Sequence, residues 1–139
     1  MDTVKTIATQ RNWHDLLMRP LPMFQPAHFS ALLATPVHYD HRLVHTAGKA
    51  FYGPRKITLH PAFLADQSED MQRQHKETFF HEAAHILAVL VYGQAAGGHG
   101  FHWGHCMLCW GYEPTRYHTI GRELRQAKAN NTLSLDDLD

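Results

Sequence analysis

His81-Glu82-Ala83-Ala84-His85 sets two imidazoles four residues apart, with a carboxylate beside the first. On a helix that spacing puts both histidines on one face, where they can hold a single metal ion. Glu82 lies about 100° around the helix from His81, so it is not a neighbouring ligand. It can approach a water at the metal from the side, as a general base must. The chemistry this set supports is metal-assisted hydrolysis, and catalytic zinc usually takes three protein ligands and a water. The third ligand should come from beyond the helix. His99, in Gly97-Gly98-His99-Gly100, lies fourteen residues past His85, and its glycines permit close backbone approach. His102 and His105 compete with it on spacing alone. The chain carries 13 histidines, so identity alone makes none of them a ligand. What sets His81 and His85 apart is an apolar stretch, where polar groups need partners and a metal supplies them.

The element that must carry them is a helix predicted from about Glu69 to Tyr92. Its first half is polar. Its second half is apolar most of the way round, which predicts passage through the core. Gly93 stops it, and a loop over Gln94 to Gly98 leads to a helix from about Phe101 to Trp110, ended by Gly111. Upstream, Val4 to Met18 reads as one amphipathic helix closed by Arg19-Pro20-Leu21-Pro22, and Pro26 to Leu33 as a second. Val37 to His45 and Gly48 to Tyr52 are strand-like, Gly53-Pro54 is a turn, and Lys56 to Leu59 is a short strand with alternating faces. Pro61 to Leu64 reads as a helical turn. This order predicts an α+β fold with a small antiparallel sheet. The segment 127–139 ends acidic and without periodicity, and is expected to be a mobile tail.

At 139 residues, 44% of them hydrophobic, the chain suits one domain over 1–139 with a core that needs no disulfide staple. Thirteen basic residues balance thirteen acidic ones, so there is no global pull toward nucleic acid. A local basic patch of Arg42, Lys49, Arg55 and Lys56 is compatible with weak binding of single-stranded DNA. Cys106 and Cys109 stand three apart, which on a helix predicts two small packed thiols, and no second pair exists to build a zinc ribbon. No segment reads as a signal peptide or a membrane span. Together with sparse cysteine usage, this gives an expectation of a cytoplasmic protein without a membrane partner.

These residues resemble the SprT-like zinc metallopeptidases, the family that includes Spartan, the protease of DNA–protein crosslink repair. The resemblance runs through Arg42 and Thr46-Ala47-Gly48, then Lys56-Ile57-Thr58-Leu59-His60-Pro61-Ala62-Phe63-Leu64. It continues through Thr78-Phe79-Phe80 into the HExxH segment. Gly98-His99-Gly100-Phe101-His102-Trp103 is similar to the family's G-H-G-x-x-[FW] element, and Met107, Gly111 and Glu113-Pro114-Thr115-Arg116-Tyr117-His118 to its closing segment. It covers roughly residues 40–118. It implies a zincin-like α+β fold, His99 as the third ligand, one zinc ion (Zn2+) per chain, and Glu82 as general base in cleaving protein substrates, including DNA-bound or DNA-crosslinked ones. Tyr117 and His118 are candidates by position for a second oxyanion donor. Two departures stand out: the four-cysteine ribbon of many bacterial members and the zinc-binding subdomain that stands over the cleft in Spartan have no counterpart here, which predicts a shallow, open site or a partner that covers it, and Tyr117 replaces the family cysteine. Two other readings share the same residues: a zinc-stabilised interaction domain without activity, and a phage or mobile-element peptidase with one protein target.

Overall fold

The computed structural model describes residues 2–20, 24–43 and 46–114. Helices α1 (Val4–Gln10), α2 (His14–Leu17) and α3 (Pro26–Leu33) precede strands β1 (Val37–Tyr39), β2 (Gly48–Tyr52) and β3 (Arg55–Leu59). Helices α4 (Ala62–Ala65), α5 (Glu69–Tyr92) and α6 (Phe101–Cys109) follow, with a 3-10 turn over Gln94–Ala96 between the last two. The outcome is a small α+β fold with a three-stranded sheet. The helix α5 is its axis: β2, β3, α3, α4 and α6 all pack on it.

Local chemistry sets the bounds of α5. Ser68 caps its start by accepting from the amide of Met71 at 3.3 Å, and Glu69 and Asp70 favour the positive end of the helix dipole. Gly93, at φ 90°, closes its end. From Thr78 to Ala88 every residue is buried, as an apolar circumference requires.

The sheet corrects the expectation of antiparallel pairing throughout. Its order is β1-β3-β2, and it is mixed: β2 pairs antiparallel with β3, while β1 runs parallel to β3. The tight Gly53-Pro54 connection returns β3 beside β2, and β1 joins on the far side of β3. As the central strand, β3 also loses its alternation: Ile57, Thr58 and Leu59 are all buried. The strand expected over Val37 to His45 stops at Tyr39, because Asp40 accepts from the amide of Arg42 at 2.9 Å and turns the chain. The first helix is likewise two. Asn12 sits at φ 63°, a left-handed conformation asparagine tolerates, and breaks it between α1 and α2.

Beneath these elements lies an aromatic knot around His75. Its ring stacks on Phe63 at 5.0 Å and meets Trp13 edge-on at 5.3 Å, and its Nε2 shares a 2.8 Å hydrogen bond with the Tyr39 hydroxyl. Burial, with a smaller contribution from the Arg11 charge, pushes its pKa from 6.5 down to about 4. The unfolded chain therefore takes up a proton as pH falls through 6.5, while the folded chain resists until about 4. Stability is expected to drop across that window by about 3 kcal/mol through this group. Urea unfolding between pH 7 and 4.5 checks this: His75→Gln should lose that part of the acid sensitivity. Identical pH dependence in the two proteins would refute it.

Candidate metal centre

His81 and His85 project from the buried face of α5, one turn apart. Beyond Gly93 the 3-10 turn reverses the chain, and Gly98 adopts φ +92°, a left-handed conformation that a side chain would strain. That sends His99 back over α5 just before α6 begins. The result is convergence. His99 Nε2 lies 3.0 Å from His81 Nε2 and 3.1 Å from His85 Nε2, and ligand atoms of all three lie within 4.8 Å of one another. Two imidazoles on one tetrahedral zinc would bring their nitrogens to about 3.3 Å, given zinc–nitrogen bonds near 2.0–2.1 Å. Ring nitrogens brought this close together can all coordinate one cation. The donor set therefore fits a divalent metal.

The competitors lie elsewhere. His102 stacks on Tyr92 at 3.9 Å. His105 packs edge-on to Phe24 at 6.2 Å and over Phe101 at 6.3 Å. Tyr117 and His118 fall outside the described residues, as does the expected tail. Cys106 is buried and Cys109 half-buried, both on α6 and neither in a disulfide, in keeping with packing positions. Burial raises the Cys106 thiol to about 12, well away from reactivity.

Glu82 is fully buried, and desolvation pushes its carboxyl well above the ordinary carboxylate range. It lies where β2 meets α5. A Cβ on Gly48 would stand 3.0 Å from Thr78 Cγ2, 3.1 Å from the Thr58 carbonyl oxygen and 3.2 Å from Glu82 Cγ. Only a residue without a side chain lets the strand come this close. Gly48→Ala is therefore expected to cost about 1–3 kcal/mol, as overpacking of a tight contact does, and to displace Glu82. Denaturant titration reads the first effect. A fall in hydrolysis at unchanged metal content reads the second. Parent-like values for both would show that the contact relaxes freely.

Trp103 and Gly48 carry roles that neither spacing nor composition announces. The buried Trp103 ring touches the whole triad: it lies 4.9 Å from His81, 4.8 Å from His99, and stacks on His85 at 5.5 Å. Its indole N–H donates to the His81 carbonyl oxygen at 3.2 Å. It thus locks ring orientations and ties α6 to α5. Trp103 and Gly48 both stand in segments that carry the family resemblance, which was the available signal.

The fold and the cluster define the class: a small α+β domain whose long helix and following loop bring three histidines together in a set able to hold a metal ion. The chain belongs to the SprT-like family, whose profile matches residues 23–120, from before α3 to beyond Pro114. That span starts earlier than the motifs indicate and takes in α3 and β1. No curated protein and no solved structure matches the chain.

Proposed function

We propose that this protein is a zinc-dependent endopeptidase acting on protein substrates, with His81, His85 and His99 as ligands of one zinc per chain and Glu82 as general base. The convergence of three Nε2 atoms, two of them from the helix that carries the buried Glu82, carries this reading, and membership of a family associated with metallopeptidases supports it. Zinc held there would supply Lewis acidity toward a water and a peptide carbonyl. Glu82 takes the proton of the attacking water and returns it to the leaving amine. Trp103 and the walls of α5 keep the histidine rings oriented. At the sheet's edge, β2 pairs on one side with β3, and an extended peptide can align along such an edge. Metal analysis of the purified chain, with hydrolysis of an unfolded protein before and after chelation, tests the proposal. Stoichiometric metal without hydrolysis of any protein would favour an inactive interaction domain instead.

The substrate class extends, in this proposal, to proteins bound to DNA. The basic residues supporting it are fewer than four. Asp40 holds Arg42 at 2.9 Å, and that guanidinium in turn lowers the Asp40 carboxyl to about 2. Lys49 and Lys56 flank the Phe51 ring at 5.2 and 4.7 Å, and Arg55 stands exposed at the hairpin end. An aromatic ring with two ammonium groups close by suits a single strand better than a duplex. With so few phosphate contacts, binding of single-stranded DNA is expected to be weak and to fade above about 150 mM salt. Fluorescence anisotropy at several salt concentrations checks it; sub-micromolar affinity at that salt would contradict it. Among the described residues no helix is long and apolar enough to cross a membrane.

A further inference from the structure

Beside the triad a half-open cavity of about 280 Å³ runs from His99 along one face of α6, past Phe101, Gly104 and Leu108, to Pro114. Two features make it a built site. First, it is lined by His99 of the triad and by Trp103, which packs on all three histidines, so it lies directly beside the candidate centre. Second, it gathers exposed apolar surface. Four large hydrophobic residues are exposed among the described residues, and the two most exposed, Phe101 at 82% and Leu108 at 60%, both line it. Clustered apolar exposure of this kind marks a binding surface. Gly104 lets Pro114 pack close against α6 at one end of the cavity: a Cβ there would come within 3.2 Å of Pro114 Cβ. His105 stacks against Phe101 and extends the aromatic wall.

The lining also says what it excludes. No Asp, Glu, Lys or Arg is among the described residues around it. A charged group entering would be desolvated without a counter-charge. The volume lies just below the roughly 300–1,000 Å³ of small-molecule sites, on the scale of one large side chain. We propose that this cavity is the subsite for a bulky apolar side chain, aromatic or long aliphatic, of the polypeptide whose bond is presented to the triad. This rests on the peptidase reading above, and it names a preference that the triad by itself does not supply.

The test uses blocked tripeptides with Phe, Leu, Asp or Lys at the centre. Their binding to the metal-loaded full chain carrying Glu82→Gln is followed by NMR shifts of α6 amides, and their cleavage by the parent enzyme is measured alongside. Phe and Leu peptides are expected to bind at least about tenfold more tightly than Asp or Lys peptides, the scale of a filled hydrophobic pocket. Adding Leu108→Asp should reduce Phe binding about tenfold and improve Lys binding. Leu108 is exposed, so the fold should survive, and circular dichroism verifies that. Equal affinities across the panel, or affinities unmoved by Leu108→Asp, overturn the subsite. Cleavage without preference overturns the subsite and leaves the peptidase reading standing. Preference in binding with no cleavage of any peptide or protein overturns the peptidase reading, and with it the cavity's role as a substrate subsite.

Discussion

Glu82→Gln is expected to keep its metal and its fold and to lose peptide hydrolysis by about a hundredfold or more, the usual scale of general-base catalysis. Glutamine fills almost the same space, which matters in a contact as tight as that between Glu82 and Gly48. It cannot take a proton from water. Desolvation opposes charge on the parent carboxyl, so replacing it with a neutral amide should not weaken packing. The readouts are hydrolysis of an unfolded protein, metal content and the urea midpoint. Undiminished turnover would remove Glu82 from the mechanism. Loss of the metal along with activity would instead make it a determinant of the metal site.

The second large effect concerns the triad. His81→Ala, His85→Ala and His99→Ala are each expected to weaken metal binding by more than about a hundredfold, beyond the ten- to hundredfold that loss of an outer-shell partner costs. Two neutral imidazoles rarely hold a catalytic zinc. Activity should vanish with the metal. His99→Ala is the cleanest of the three, because His99 is half-buried on a loop while His81 and His85 are buried in α5. Its fold should persist, and elemental analysis then reads the metal alone. His102→Ala is the control: that ring stacks on Tyr92 away from the triad, and its loss should leave the metal in place. Full occupancy in His99→Ala would overturn the assignment of the third ligand.

Periodicity and punctuation carry far in this chain. The long helix was legible at both ends: Glu69–Tyr92 begins at a serine cap and stops at Gly93, and these are local signals. So was α3 over Pro26–Leu33, opened by a proline at its first position. The β2–β3 hairpin followed from its turn residues. What failed had non-local causes. Strand pairing is a contact between distant segments, and the run over Val37–Tyr39 holds no record of which neighbour it will take or in which direction. The break between α1 and α2 rests on one asparagine at positive φ, a conformation that helical periodicity does not encode.

The same division runs through the candidate site. That His81 and His85 share one face of a helix was legible in the sequence, because a helix of known pitch converts spacing into geometry. The third histidine was not: His99, His102 and His105 are equivalent on spacing alone, and only the resemblance to a family favoured the first. The loop's return at Gly98 brought His99 to about 3 Å from both partners, and helix α6 turned the other two toward Tyr92 and Phe24. Tertiary structure alone decided that Gly48 lets the sheet close on Glu82, that Trp103 backs all three rings, and that Phe101 and Leu108 line one cavity. The physical reason is that these are contacts between side chains on separate elements. Local sequence specifies each element, and packing around α5 specifies which of their faces meet.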